Sequence, residues 1–265
     1  MKFTIQERRT ESVSCMCDEI TYGIHREWCD VTWKPLNLSL LRERHFFDYD
    51  PHRITPVIIW ICGGAFTHVD KNVWMPELAY FAKKGFAVAS IEYDADARMR
   101  FPDPILQIKQ AIRFLRAKAQ EFQLDPDRMV IMGESAGAYL ANFVALTNDN
   151  RSFEKGEYLE YSSSVKAAVS LYTCAKEIHM EGDRIVMPDL TEYVTETAPP
   201  FMLFHGTKDE VVSCKESEYF YDALVNRGIQ ADLYMIEGAK HADSPFYQSE
   251  IKDQIIDFMK QVLDL

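Results

Sequence analysis

The 265-residue sequence lacks any apolar stretch near the roughly 20 residues that a membrane-spanning helix needs. Its first nine residues also lack the apolar core of a secretory signal peptide. Only six cysteines are present, and the Cys15-Met16-Cys17 pair has no second pair at zinc-site spacing. We therefore expect a cytoplasmic protein with reduced thiols, without a membrane anchor or a structural zinc ion.

Positive charge is also scarce, because 29 lysines and arginines stand against 41 aspartates and glutamates, for a formal net charge of −12. Such an acidic chain is repelled by nucleic acid and by anionic membrane surfaces, so neither is an expected partner. Internal repeats, low-complexity tracts and linkers are missing as well. The length suits one large α/β domain, and we predict a single domain over residues 1–265.

What the sequence does contain is an alternation of short apolar runs and amphipathic segments. Before it, the first fifty residues predict only irregular β-structure, around residues 31–33 and 36–40. Strands that alternate with helices predict a mostly parallel sheet with helices on both faces. The predicted strands are 57–61, 86–91, 129–132, 167–171, 201–204 and 232–236, and the predicted helices are 76–84, 104–122, 138–146, 215–226 and 248–263.

The clearest helix is predicted over residues 104–122, where isoleucine and leucine recur at spacings of three and four. Asp103 is its predicted cap, with Pro104 at the first helical position. Two polar, irregular segments, 148–165 and 177–200, interrupt the alternation. Because loops beyond the carboxyl ends of strands build ligand sites in α/β sheets, we predict that these segments form a small lid or pocket wall.

Residues 133–137 read Gly-Glu-Ser-Ala-Gly, directly after an apolar run and before a helical segment. This G-x-S-x-G pattern is typical of a sharp strand-to-helix turn whose central residue, Ser135, is strained and accessible. Glycines flank the serine because Cβ atoms there would collide with the neighbouring strand and helix. The pattern in this context predicts Ser135 as an acyl-transfer nucleophile. A tight turn whose serine only caps the helix is the alternative.

A serine nucleophile needs a general base, and the base needs an acid that orients it. Two histidines downstream of Ser135, His205 and His241, follow predicted strands. The loop of His241 contains small residues, which suits a base, and Asp209 lies beyond the preceding strand within reach of an imidazole. We predict His241 as the base, Asp209 as the orienting acid, and His205 as a support for the Asp209 loop. The other candidate acids are Glu210 and Asp243.

The tetrahedral intermediate of acyl transfer needs backbone N–H donors around its oxyanion. One predicted donor is Ala136, directly after the nucleophile. Further donors are predicted in the loop 62–66, Cys-Gly-Gly-Ala-Phe, which follows the strand 57–61. Glycines let backbone amides face an oxygen without obstruction by side chains. A glycine turn that serves only the path of the chain is the alternative.

Together these segments resemble an α/β-hydrolase of the carboxylesterase group related to hormone-sensitive lipase, in particular its small acetyl- and feruloyl-esterase-like members. The resemblance covers most of residues 55–260. It implies an eight-stranded sheet, ester hydrolysis without metal or cofactor, and Ser135, Asp209 and His241 as the triad. It also implies Gly64, Ala65 and Ala136 as oxyanion donors. The matching segments are 57–66, 90–93, 101–122, 125–141, 198–212 and 238–242.

Two positions depart from that family's pattern. Its oxyanion loop commonly begins with histidine, where this chain has Cys62, and often contains a third glycine, where this chain has Ala65. Backbone donors survive both changes. The change at Cys62 removes a side chain that could support the loop.

The resemblance implies a small-molecule ester substrate with a short acyl chain, such as an acetylated carbohydrate or a phenolic ester. Aromatic side chains near the predicted mouth could stack on a sugar or phenolic ring, with ordinary packing as the alternative. A peptidase, a thioesterase or an aryl formamidase could use the same triad. A non-catalytic binding protein on a hydrolase scaffold is the alternative of another class. The candidate aromatics are Trp74, Tyr93 and Phe246, with Tyr158 and Tyr193 as further ones.

Overall fold

The structure, a computed structural model, describes residues 1–6, 13–27, 32–44, 50, 52–95, 100–148, 150–180 and 185–265. Its strands are β1 (Ser14–Glu27), β2 (Thr32–Glu43), β3 (Thr55–Ile61), β4 (Ala87–Ile91), β5 (Leu124–Glu134), β6 (Ala168–Leu171), β7 (Ile178–Met180), β8 (Ile185–Met187), β9 (Phe201–Gly206) and β10 (Ala231–Ile236). Its helices are α1 (Met75–Lys83), α2 (Asp103–Ala117), α3 (Ala119–Phe122), α4 (Ala136–Leu146), α5 (Lys215–Asn226) and α6 (Ser249–Leu263).

Eight of the described strands form one sheet in the order β1-β2-β4-β3-β5-β6-β9-β10. The pairs β1–β2 and β2–β4 are antiparallel, and the neighbours from β4 to β10 are parallel. The mostly parallel eight-stranded sheet of an α/β-hydrolase is thus confirmed. Because the parallel strands end at the same edge, the loops that follow β3, β5, β6, β9 and β10 meet there.

Two apolar cores lie on opposite faces of this sheet. Successive strand residues point to opposite sides, so Val57, Ile59 and Ile61 of β3 enter one core while Ile58 and Trp60 enter the other. Helices α2, α4 and α5 complete the first core, and α1 and α6 complete the second. The predicted cover of helices on both faces is therefore confirmed. None of the described helices is both long and apolar enough to cross a bilayer.

The N-terminal region is more regular than the irregular β-structure predicted for it. Strand β2 joins the two predicted segments, although Val31 lies outside the described residues, and β1 is a strand that the sequence reading missed. The pairing of β1 with β2 shifts register between Cys17 and Ile20 and again between Thr21 and Gly23. Such bulges interrupt the period of two that reveals a strand in a sequence, which is why β1 was not recognised.

The helix predicted over residues 104–122 is divided into α2 and α3 at Lys118. The prediction that Asp103 caps it was wrong. Asp103 is the first helical residue, Pro102 stands at the cap, and no side-chain cap hydrogen bond is made there. The start of α2 is held by buried apolar packing instead, in which Ile105 takes part.

The first irregular segment, 148–165, is tied to α2 by ion pairs. Lys109 and Arg113 have no exposed side-chain surface, and both contact the carboxylate of Glu154. Arg116 donates to the carbonyls of Ser162 and Ser164, and burial lowers the pKa of Arg116 to about 10. The second segment contains the β7–β8 hairpin and a short 3-10 turn at Leu190–Tyr193. A lid function for either segment stays a prediction.

Candidate active site

Ser135 lies at the junction between β5, which ends at Glu134, and α4, which begins at Ala136. Its backbone has φ 52° and ψ −124°, a conformation that costs free energy for any residue with a Cβ atom. A Cβ atom on Gly133 would lie 2.5 Å from the carbonyl oxygen of Gly137, and one on Gly137 would overlap the Ile61 carbonyl. The junction therefore has the geometry that the G-x-S-x-G pattern predicts.

The side chains of Ser135, His241 and Asp209 form a hydrogen-bonded chain. The hydroxyl of Ser135 lies 2.9 Å from Nε2 of His241, and Nδ1 of His241 lies 2.7 Å from Oδ2 of Asp209. Because the carboxylate accepts, Nδ1 carries the proton and Nε2 is left to accept from the serine hydroxyl. The Asp209 side chain is fully buried, whereas the His241 side chain is 15% exposed and Ser135 is partly buried, so the imidazole and the serine face the accessible side of the site.

Asp209 and His241 meet because β9 and β10 are adjacent parallel strands whose loops pack on each other. The Lys208 amide donates to the Ala239 carbonyl at 3.0 Å. A Cβ atom on Gly206 would overlap that same carbonyl, so glycine at the end of β9 permits this close approach. Two side chains that are 32 residues apart in the sequence are thereby brought within hydrogen-bonding distance.

His205 supports the Asp209 loop from the protein interior, as the sequence reading expected. Its Nε2 lies 3.0 Å from the Val212 carbonyl and 3.2 Å from Oδ2 of Asp209, and its Nδ1 lies 2.7 Å from Oγ of Ser217. Burial lowers the pKa of His205, and the nearby carbonyl and carboxylate only partly offset this effect.

The other two candidate acids lie elsewhere. Glu210 is exposed, and the carboxylate of Asp243 accepts from the amides of Lys240 and Ser244 in its own turn. By contrast, the amides of Val211 and Val212 donate to Oδ1 of Asp209, which leaves its Oδ2 for the histidines. Asp209 is thus the candidate acid that the structure brings to His241.

The loop after β3 runs through three consecutive residues with positive φ, namely Gly64 at 136°, Ala65 at 51° and Phe66 at 61°. A Cβ atom on Gly64 would overlap the His68 carbonyl, so glycine is required there. Within the described parts of the chain, no hydrogen-bond acceptor is found for the amides of Gly64, Ala65 or Ala136. Among the described residues, these three predicted donors therefore have no acceptor that competes with an oxyanion.

Glu134, inside the G-x-S-x-G pattern, was missed by the sequence reading. Its buried carboxylate accepts from the Gly63 amide at 2.5 Å and from the indole N–H of Trp74 at 3.2 Å, and the Cys62 thiol lies 3.6 Å away. Burial and this carboxylate raise the pKa of Cys62, which keeps the thiol protonated. A carboxylate at the end of an apolar strand was the signal that could have revealed Glu134.

The predicted aromatic contacts need correction. Tyr93 and Phe246 are buried in the core rather than placed at a mouth, because Tyr93 donates to the Cys62 carbonyl and Phe246 packs on Tyr172. Trp74 is half-buried and retains exposed surface. Tyr172, which the sequence reading missed, packs edge-on against the His241 ring with centroids 4.8 Å apart.

The other two aromatics, Tyr158 and Tyr193, are partly buried and pack on Phe114 and on Phe143 and Phe153 respectively. These contacts fit the ordinary packing that was left open as the alternative.

Among the described residues, no group of three or more histidine, cysteine or acidic side chains could hold a metal ion.

This chain is similar to a protein family, to curated proteins and to solved structures. A family model described as BD-FAE matches residues 48–189, which is more than half of the 265 residues. The chain belongs to the BD-FAE family. It is thus an α/β-hydrolase of the carboxylesterase group, as the resemblance implied. The matched region of this BD-FAE chain contains Ser135 and the loop 62–66, whereas Asp209 and His241 lie beyond it.

Esterase LipQ of Mycobacterium tuberculosis is 31% identical over 219 residues, which are 74% of this chain and 52% of LipQ. The chain spans about half the length of the curated relatives it matches. A truncated carbohydrate esterase from gut microbiota has a TM-score of 0.78 at 20% identity, with 98% and 99% of the two chains covered. Thermogutta terrifontis esterase 2, phosphorylated by paraoxon, has a TM-score of 0.75 at 22% identity and coverages of 92% and 94%. At such identities, the two structures show a shared fold.

Proposed function

We propose that this BD-FAE chain is a serine hydrolase that cleaves carboxylic esters. Ser135 acts as the nucleophile, His241 as the general base and Asp209 as the acid that orients it. The amides of Gly64, Ala65 and Ala136 bind the oxyanion. The observation that carries this proposal is the hydrogen-bonded chain from Ser135 through His241 to Asp209, with distances of 2.9 and 2.7 Å.

In the first step, Oγ of Ser135 attacks the ester carbonyl while Nε2 of His241 takes the hydroxyl proton. The new imidazolium is stabilised by Asp209, and the carbonyl oxygen gains negative charge that the backbone amides bind. When the tetrahedral intermediate collapses, His241 returns the proton to the leaving alcohol. Water then attacks the acyl-enzyme with the same histidine as base, which releases the acid and restores Ser135.

The substrate that we propose is an ester with a short acyl chain, on a carbohydrate or a phenolic group. A cleft of about 520 Å³ is lined by Phe101, Val186 and Pro188 together with three acidic side chains and Arg100. Tyr139 connects this cleft with the oxyanion loop, because its ring packs on Phe66 and its hydroxyl donates to the Pro188 carbonyl. Three acidic side chains against one arginine give the walls a net negative charge, which favours neutral, hydroxyl-rich alcohols over anionic ones. The acidic residues are Glu177, Asp189 and Glu192.

The first experiment compares wild type and Ser135→Ala on a nitrophenyl acetate, with the exposed Ser249→Ala as the matched control. We expect Ser135→Ala to lose at least about 10⁴-fold in kcat, and Ser249→Ala to match wild type. A fluorophosphonate probe should label wild type and Ser249→Ala but not Ser135→Ala. Undiminished hydrolysis by folded Ser135→Ala would exclude the proposed nucleophile.

The second experiment tests the substrate with a panel of acyl lengths and alcohol groups, including thioesters, peptides and an aryl formamide. We expect acetyl esters of neutral sugars or phenols to have the highest kcat/KM. A preference for thioesters, peptides or the formamide would be consistent with the triad but would contradict the proposed ester substrate.

The single domain and the cytoplasmic location expected from the sequence stay predictions.

A further inference from the structure

Glu134 has a polar side chain within the Gly133–Gly137 pattern that takes no part in the proposed mechanism, yet it is buried beside Ser135. Both of its carboxylate oxygens lie against the backbone of Gly63, where a Cβ atom would be 2.7 to 2.8 Å from them. The Gly63 amide donates to Oε1 at 2.5 Å. A charge-assisted hydrogen bond of this kind, shielded from water, is among the stronger polar contacts in proteins.

The loop that donates this hydrogen bond needs support. Directly after Gly63, the residues Gly64, Ala65 and Phe66 all have positive φ, which alanine and phenylalanine rarely adopt. Such conformations persist only where surrounding contacts over-determine them. The hydrogen bond to Glu134 fixes the Cys62–Gly63 peptide, which directly precedes this strained segment, and it thereby sets the direction of the amides that follow.

The Cys62 side chain does not replace this support. A thiol is a weak donor, and its sulfur is 3.6 Å from Oε1 of Glu134. The same Cys62–Gly63 peptide is also held at its other end, because the Tyr93 hydroxyl donates to the Cys62 carbonyl at 2.8 Å. In the position where related esterases commonly have histidine, this chain therefore has a small thiol that itself depends on the carboxylate of Glu134.

The contacts of Glu134 also extend toward the proposed base. Trp74 donates to Oε1 and stacks on Tyr247 with ring centroids 4.4 Å apart. The hydroxyls of Tyr247 and Tyr172 lie 3.0 Å apart, and the Tyr172 ring packs on His241. One buried carboxylate thus connects the oxyanion loop with the loop that carries the histidine.

We propose that Glu134 is a positioning residue that holds the oxyanion loop through the Gly63 amide. It does not touch the reacting atoms. It acts by keeping the amides of Gly64 and Ala65 directed at the oxyanion. The predicted effect on rate rests on the proposed function, whereas the predicted effect on the loop does not.

The kinetic test compares Glu134→Ala and Glu134→Gln on a nitrophenyl acetate. Because misdirected donors weaken binding of the transition state, we expect Glu134→Ala to lower kcat by about 10² with KM nearly unchanged. Glu134→Gln can keep an oxygen at the Oε1 position, to which Gly63, Trp74 and Cys62 all donate, so only the negative charge is removed and a loss of less than about tenfold is expected. Cys62→Ala leaves the Gly63 hydrogen bond in place and should lose less than about fivefold.

Glu216→Gln is the matched control. Its carboxylate also holds a loop by accepting from two backbone amides, those of Ala175 and Lys176, but that loop carries none of the proposed donors. We expect its kcat to equal that of wild type. Melting temperatures of all variants show that folded protein is compared. If Glu134→Ala melts like wild type and retains its kcat within twofold, the proposal is overturned.

Hydrogen exchange of the peptide that contains residues 63–66 provides a readout that needs no substrate. In wild type, the Gly63 amide should exchange slowly, and in Glu134→Ala it should exchange at least about tenfold faster while the core strands stay protected. If the Gly63 amide exchanges at the wild-type rate in Glu134→Ala, the proposal that Glu134 supports the loop is overturned. If wild type hydrolyses no ester, the proposed function fails, and the exchange result still decides the role of Glu134.

Discussion

The two halves of the candidate site are built in different ways. Ser135, His241 and Asp209 contribute side-chain atoms, and each side chain hydrogen-bonds directly to the next. The loop 62–66 offers backbone amides, and a neighbouring side chain holds its strained conformation. The first half therefore depends on which atoms are present, whereas the second depends on the path of the backbone. Substitutions should damage the two halves through different mechanisms.

The largest effect is expected from Asp209→Asn. This substitution replaces one carboxylate oxygen of the hydrogen-bonded side chains with an NH₂ group and leaves the shape of the side chain nearly unchanged. An amide in place of the carboxylate favours the wrong tautomer of His241, so we expect kcat/KM to fall by about 10⁴. The exposed neighbour Glu210→Gln is the matched control and should match wild type. The kcat/KM of both variants is measured by assays with a nitrophenyl acetate. If Asp209→Asn keeps more than a tenth of the wild-type kcat/KM, the acid is a different residue.

A smaller but still large effect is expected from Gly64→Ala, which changes the backbone of the second half. The new Cβ atom would overlap the His68 carbonyl, and φ of 136° is unfavourable for alanine. We expect kcat to fall by about 10² to 10³ as the oxyanion donors move. Circular dichroism should show a loss of about 1–3 kcal/mol in the free energy of unfolding.

Gly85→Ala is the matched control for this backbone effect. Gly85 also has positive φ, at 93°, but nothing lies within 4 Å of its would-be Cβ, and it follows α1 away from the loop. We expect a loss of stability of about 1 kcal/mol and an unchanged kcat. An equal loss of kcat in both variants would show that strain in general, rather than the oxyanion loop, limits the rate.

A moderate effect on stability is expected from His205, which supports the first half. Because burial lowers its folded-state pKa below 6.5, the unfolded chain binds protons more readily below that pH. The stability contributed by neutral His205 is thus fully present above pH 6.5 and is lost as pH falls toward the lower folded-state pKa. Urea unfolding at several pH values should show a weaker loss in His205→Gln than in wild type. The exposed His52→Gln should follow wild type.

The smallest effect is expected from Ala65→Gly in the second half. Glycine relieves the strain at φ 51° but adds entropy to the unfolded chain, so the free energy of unfolding should change by less than about 1 kcal/mol. The backbone amide remains, and kcat should stay within twofold of wild type. A loss of 10²-fold would mean that the Cβ atom of Ala65 itself helps to shape the site.

The two halves also differ in how well sequence reading anticipated them. The order of Ser135, Asp209 and His241, each just after a predicted strand, was sufficient to place them at one edge of a parallel sheet. The loop 62–66 was recognised from its glycines, but its support by Glu134 was not. Tyr93 and Phe246 were expected at a mouth and lie in the core, because an aromatic residue after a strand can point to either side.

The sequence by itself determined the local features of the fold, which depend on residues close together in the chain. Glycines stand where a Cβ atom would overlap backbone, and apolar residues run continuously along strands that are buried on both faces. The tertiary structure alone decided which buried polar groups meet. Glu134 and Gly63 are 71 residues apart, and their hydrogen bond exists because β3 and β5 are adjacent parallel strands. Long-range polar contacts leave no periodic trace in a sequence, since they depend on the pairing of elements rather than on any local pattern.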